Sequence, residues 1–233
     1  MISKHPKSIY LALRNPALDH DSFMARWRHH GSLGRAKPGY ADNVVRYEQC
    51  DVNQEISAPT CSRDYDGVGI VTYRTVEARR AHHSNPSSEV LMAQDGAATF
   101  GVPVEETRTF CYEVTILSGM REGTKVFRFV WREPAADHTS FVAAWAASLS
   151  LNARTLRDVA PACVLNVPLN EPGASAGLGC DLVEEYLCPD LAAASRLVER
   201  LSPAPDGLAV DRSVTVITDS VCLYDGSDRN STA

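Results

Sequence analysis

Residues 14–27 read RNPALDHDSFMARW, and residues 132–145 read REPAADHTSFVAAW. Nine of these fourteen positions are identical, at a constant offset of 118 residues. A match of that density points to duplication and fusion, and an internal repeat constrains a fold more than local propensity does. Each block follows a strand-like run, Ser8–Leu13 in the first copy and Lys125–Trp131 in the second. Asp19 stands where a helix N-cap is needed, and Phe23 and Trp27 repeat at i, i+4, a helical stripe.

Working outward, each copy reads as strand, helix, strand, strand, helix, strand. In the first copy the strands are expected over Ser8–Arg14, Val44–Val52, Gly67–Tyr73 and Arg108–Leu117. The first helix starts at Asp19, and Gly31, Gly34, Pro38 and Gly39 end it; Thr75–Leu91 is a weaker helix broken around Asn85 and Pro86. The second copy places strands over Lys125–Trp131, Ala162–Pro168, Asp181–Leu187 and Ser213–Leu223, with helices over Asp137–Leu156 and Pro189–Leu201. Residues 58–66 and 170–179 are rich in turn formers, and 118–124 join the copies. The division is therefore 1–118, 119–225 and a polar, frayed tail over 226–233.

A βαββαβ unit is the ferredoxin-like arrangement, an antiparallel sheet with helices on one side. The fold class expected is α+β, with tandem ferredoxin-like repeats forming one intramolecular α+β barrel around a small-molecule pocket. Ile9, Leu11 and Leu13 share one face of the first strand, opposite Tyr10, Ala12 and Arg14. Phe127, Phe129 and Trp131 share one face of its counterpart, opposite Arg128, Val130 and Arg132. The wholly apolar face is expected on the helices and the mixed face in a semi-polar cavity between two facing sheets.

Composition excludes several classes. With 44% hydrophobic and 22% charged residues in 233, the chain can bury a core. A net charge of −6 without a cluster of Lys or Arg argues against nucleic acid or an anionic membrane as partner. No run reaches the roughly 20 apolar residues of a spanning helix. Seven irregularly spaced cysteines without a signal core read as reduced thiols in a cytoplasm. The expected partner is a small-molecule substrate, and the chain a monomer or homodimer.

Phe23-x-x-x-Trp27-x-x-His30-Gly31-x-Leu33, then Pro38-Gly39, Val45-Arg46-Tyr47 and Asp66-Gly67-Val68, resembles the EthD-type branch of the dimeric α+β barrel superfamily. The resemblance covers the first copy and, more weakly, the second. It implies two ferredoxin-like sheets facing each other and chemistry on small, often aromatic or polyketide-derived molecules. The superfamily includes lactone isomerases, cyclases, decarboxylases, dehydratases and cofactor-free oxygenases, and also haem-using members. The second copy departs from the pattern: Ala147, Ser148 and Leu149 stand where His29, His30 and Gly31 are expected. One degenerate half implies a single asymmetric site.

The candidate catalytic residues are His30, Tyr47, Tyr73 and Glu185. His30 shares a helical face with Phe23 and Trp27 and has the near-neutral pKa suited to proton transfer, although a helix C-terminal histidine can equally be structural. Tyr47 and Tyr73 can hold an enolate oxygen or be core tyrosines. The strand alternation turns one of Glu184 and Glu185 inward; aligning Leu187 with Tyr73 selects Glu185, and a one-residue shift selects Glu184. The candidate binding residues are Tyr10, Arg128, Arg14 and Glu184. Arg128 suits a carboxylate or phenolate. Arg14 and Arg132 recur in both copies, which favours closing a strand end. His82 and His83 diverge on a helix and read as a solvated face; His20 and His138 match beside a cap and read as structural. No HExxH, zinc spacing, phosphate loop or GxGxxG is present, so no metal, haem or flavin is expected. The leading reading is a cofactor-independent lyase or isomerase acting by proton transfer on an aromatic or conjugated, anionic substrate. The alternative is a non-catalytic small-molecule binding or accessory protein.

Overall fold

A computed structural model describes residues 2–56, 58, 60–83, 86–120, 122–169, 177–201, 204–205, 207–227, with the side chains of 86–89 and 153 excepted. The frayed tail expected over 226–233 and the loop over 170–179 lie largely outside the described residues. The elements run β1 (Lys7–Ala12), α1 (His20–Arg35), α2 (Tyr40–Asn43), β2 (Val44–Val52), β3 (Gly67–Tyr73), α3 (Val76–His82), α4 (Pro86–Thr99), α5 (Val104–Thr107) and β4 (Arg108–Leu117) in the first half. The second half runs β5 (Thr124–Arg132), α6 (His138–Leu156), β6 (Ala162–Pro168), β7 (Leu182–Cys188), α7 (Leu191–Arg200) and β8 (Val210–Asp225). The caps explain the helix starts. The side chains of Asp19, Asp137 and Asp190 accept from the backbone N–H groups of Ser22, Ser140 and Ala193.

The eight strands close into one antiparallel barrel in the order β1-β3-β2-β8-β5-β7-β6-β4. Each half contributes four strands in the same order: β4-β1-β3-β2, then β8-β5-β7-β6. The seams are β2 on β8 and β4 on β6. The two halves are therefore not separate sheets stacked face to face; each supplies the hydrogen-bonding edge the other lacks, and closure removes every open edge. No helix among the described residues is long and apolar enough to cross a membrane. All seven cysteines are free thiols.

The faces are reversed from the sequence expectation. Ile9, Leu11, Phe127, Phe129 and Trp131 point into the lumen, where they pack with Val68, Ile70, Val183 and Val216 into an apolar core without helical members. Tyr10 and Ala12 instead pack against Phe23 and Trp27 of α1. Arg128 lies over the ring of Trp145 of α6, 5.2 Å from its centroid. The reason is the two tryptophans. Each indole N–H is buried under a helix and needs an acceptor from the sheet below it. Trp27 Nε1 donates to Tyr10 Oη at 3.1 Å, and Trp145 Nε1 donates to Glu184 Oε1 at 2.7 Å. Polar residues on the mixed face meet that need.

Both strand ends are tied by the same clamp. Asp66 accepts the Arg14 backbone N–H at 2.8 Å and its Nη1 at 2.9 Å. Asp181 accepts the Arg132 backbone N–H at 2.8 Å, with Arg132 Nε 3.1 Å away. His20 and His138 approach the same two aspartates. Arg14 is thus engaged in the fold and is remote from any cavity lining described below.

Candidate active site between the second half of the barrel and its helices

Strand pairing defines equivalent positions in the two halves. Tyr10 lies across from Gly69, and Arg128 lies across from Glu184. In the first half Gly69 leaves room for the tyrosine: a Cβ there would stand 2.0 Å from Tyr10 Cζ. The ring fills the space between sheet and α1, and its hydroxyl meets Trp27. In the second half neither residue of the pair is an aromatic. The space between β5, β7, α6 and the segment after α7 remains open as a cavity of about 250 Å³.

The floor of this cavity is polar. Arg128, Glu184 and Tyr186 project from β5 and β7. Trp145, Ser148, Leu149, Asn152 and Leu156 of α6 recur at three- and four-residue spacing and form one wall. Glu184 and Arg128 are buried, 2% and 4% exposed. Burial pushes the Glu184 carboxyl upward, and Arg128, the Trp145 N–H and the Tyr186 hydroxyl offset only part of that rise. Oε1 is held by Trp145, whereas Oε2 has no hydrogen bond of good geometry among the described residues and lies 3.7 Å from Arg128 Nη1. Among the described residues the buried Tyr186 hydroxyl has no hydrogen bond of good geometry; it interacts with the Glu184 carboxyl, and burial together with that carboxyl raises its pKa well above the usual tyrosine value. A carboxyl raised above its usual value, an arginine and a tyrosine hydroxyl thus converge beside a wall of mixed apolar and polar side chains.

The other sequence candidates are dispersed. His30 bonds Asp95 through Nδ1 at 2.7 Å and meets the edge of Phe100, joining α1 to α4. Its pKa is lowered by burial, against the pull of Asp95. Its counterpart Ser148 is the one that lines the cavity. Tyr47 sits in a buried network in which Gln49 Nε2 donates to its hydroxyl at 2.7 Å and Tyr10 Oη lies 3.4 Å away. Tyr73 is buried on the same outer face, its hydroxyl 3.1 Å from His83 Nε2. Glu185 faces the lumen and bridges Lys7 and Lys125 at 2.9 Å each. It therefore shares no face with Tyr73: the register is shifted by one residue from the alignment of Leu187 with Tyr73. The two lysines hold its carboxyl well below the usual range despite a burial cost of opposite sign.

One residue escaped the sequence reading and two were misplaced by it. Tyr186 carries the same face as Glu184, two positions on, and that period was the available signal. His82 and His83 are not a solvated face. They are half-buried in a cluster with Tyr40, Tyr73 and Phe110, ring centroids 5.6 to 6.0 Å apart. Burial, reinforced by Lys37 and Arg108, lowers His82 to about 4, and burial with Arg108 lowers His83 to about 3.

The sequence matches no protein-family model and no curated protein. Its fold does match solved structures. An anthrone oxidase-like protein superposes with a TM-score of 0.63 at 10% identity, over 96% of this chain and 95% of that one. A candidate monooxygenase from Fusobacterium nucleatum subsp. nucleatum gives 0.57 at 9% identity, over 94% of each chain. A mutant chlorite dismutase from Candidatus Nitrospira defluvii gives 0.52 at 9% identity, over 93% of this chain and 92% of that one. At these identities the likeness is one of architecture: the chain has the eight-stranded barrel of dimeric α+β barrel proteins within a single polypeptide.

Proposed function

We propose that the protein is an enzyme that moves a proton on a small conjugated, anionic substrate bound in the second-half cavity. The observation that carries this reading is Glu184: a buried carboxyl raised in pKa, with one oxygen fixed by Trp145 and the other beside a cavity, 3.7 Å from Arg128. Catalytic bases are tuned towards the working pH in this way. A cavity of about 250 Å³ is below the ~300–1,000 Å³ usual for drug-sized ligands, which favours a small molecule. Arg128 would orient a carboxylate or phenolate. Glu184 would take a proton from the carbon next to a carbonyl, the C–H electron pair passing into an enolate whose oxygen Tyr186 hydrogen-bonds. Return of the proton to another carbon gives isomerisation; loss of a leaving group gives elimination. Neither course requires an oxidant. That neighbours of the same fold include a chlorite dismutase and a candidate monooxygenase agrees with an enzyme on this scaffold, by analogy of fold only.

A second reading rests on the Tyr73–His83 hydrogen bond, a tyrosine beside a histidine kept neutral, in the first half. The test separates the two. Conjugated and aromatic acids are screened for turnover and for binding, followed by Glu184→Gln and His83→Gln. Loss of about 10²-fold or more in turnover in Glu184→Gln alone supports the second-half site, that being the usual contribution of a general base. Loss in His83→Gln alone transfers the chemistry to the first half. Binding without turnover of any acid leaves the protein a small-molecule carrier.

A further inference from the structure

One end of the lumen is neither packed nor apolar. Lys7 and Lys125, one from the first strand of each half and 118 residues apart, point into it. Lys7 pairs with Glu113 at 2.5 Å and Glu185 at 2.9 Å; Lys125 pairs with Glu48 at 3.0 Å and Glu185 at 2.9 Å. Arg46 extends the chain to Glu48 and Asp225. Charges alternate along this row, and beside it lies a cavity of about 290 Å³ separate from the second-half site.

A row of paired charges could be no more than a plug, but two features exceed that role. First, a buried ion network is a poor filler, since apolar residues of similar volume commonly stabilise as well or better. Here the network leaves open space beside it, where a filler would leave none. Second, its hydrogen-bonding capacity is incompletely used. An ammonium has three donors, and each lysine commits two to the carboxylates above. Among the described residues the Glu113 carboxylate pairs with Lys7 alone, and the buried Asn166 Oδ1 beside Glu185 has no partner. The unused donors therefore sit on the two lysines, with unused acceptor capacity at Glu113. On the remaining side Val164, Leu187 and Met120 present aliphatic surface.

From this arrangement we infer that the charged end of the barrel is a second binding site, which takes a small α-amino acid with an aliphatic side chain. Its carboxylate lies between Lys7 and Lys125, its ammonium on Glu113, and its side chain against Val164 and Leu187. A simple anion would meet three glutamates and a simple cation three basic groups; a zwitterion offers each charge a partner.

Calorimetric titration of the full chain with L-leucine tests this, beside 4-methylpentanoate and 3-methylbutylamine, which each keep one charge. Saturable binding of L-leucine is expected, at least tenfold tighter than either analogue. Glu113→Gln, at a half-buried position, is expected to weaken it at least tenfold; Val164→Phe, which fills the aliphatic side and leaves every charge in place, should abolish it. Glu184→Gln should bind as the parent does. The inference is overturned by absence of binding at millimolar L-leucine, by equal affinity for the analogues, or by unchanged affinity in folded Val164→Phe. Loss in Glu184→Gln instead would assign the ligand to the other cavity.

Discussion

Tyr10 and Gly69 face each other across β1 and β3, and the tyrosine ring occupies the volume a side chain at 69 would need, with Cζ 2.0 Å from a Cβ placed there. At the equivalent positions of the other half, Arg128 and Glu184 leave a cavity. One pair of substitutions thus distinguishes a filled half from an open one.

That relationship is testable as stability. Gly69→Ala should destabilise the protein by about 1–3 kcal/mol, the usual range for overpacking. The conflict is with aromatic ring atoms that are themselves pinned by Trp27 and Tyr47. Tyr10→Ala combined with Gly69→Ala should cost less than the two single losses added. Denaturant melts of the four proteins check this, and strict additivity would place the strain elsewhere.

Trp145→Phe keeps the ring over Arg128 and removes the N–H that holds Glu184 Oε1. That N–H favours the charged carboxylate, so its loss should move the already raised Glu184 titration further up. Carbon-detected NMR of the glutamate carboxyls reads this without a substrate. Trp27→Phe, which disconnects a hydroxyl in the other half, should leave the Glu184 titration where it was.

His82 and His83 make stability depend on acid. Their folded pKa values, about 4 and about 3, lie below the ordinary histidine value of about 6.5. The folded state therefore prefers them neutral. Their contribution is fully present above about pH 6.5 and is lost as pH falls through their folded values. The melting temperature of the parent should drop more steeply from pH 6.5 to 4 than that of the His82→Asn/His83→Asn double variant. Parallel curves would mean that both rings are solvated after all.

Asp66→Ala and Asp181→Ala each remove the acceptor for a backbone N–H at a strand end. Each should lower stability by about 1–3 kcal/mol, the cost of leaving such a group unpaired. Neither aspartate lines the cavity, so ligand affinity at the second-half site should be unchanged. A large change in affinity would show that the clamp also shapes the site.

The order of the elements was written in local sequence, because caps, turn glycines and the 118-residue repeat act over a few residues each. Ala162–Pro168 and Arg108–Leu117 are strands with the bounds read from the sequence alone. Two alternating faces on each opening strand were equally legible. Which face turns inward was not, since in a closed barrel under helices both faces are buried and burial no longer separates them. Tertiary structure decided that question through the indole N–H groups of Trp27 and Trp145, which draw Tyr10 and Glu184 to the helix side and leave the phenylalanines to form the apolar part of the lumen. It also decided which half keeps an open site. His30 survives in the half whose space Tyr10 fills, and Ser148 lines the half left open. That outcome depends on residues 59 and 56 positions apart, Tyr10 with Gly69 and Arg128 with Glu184, meeting across paired strands. A single strand read by itself carries no trace of its partner.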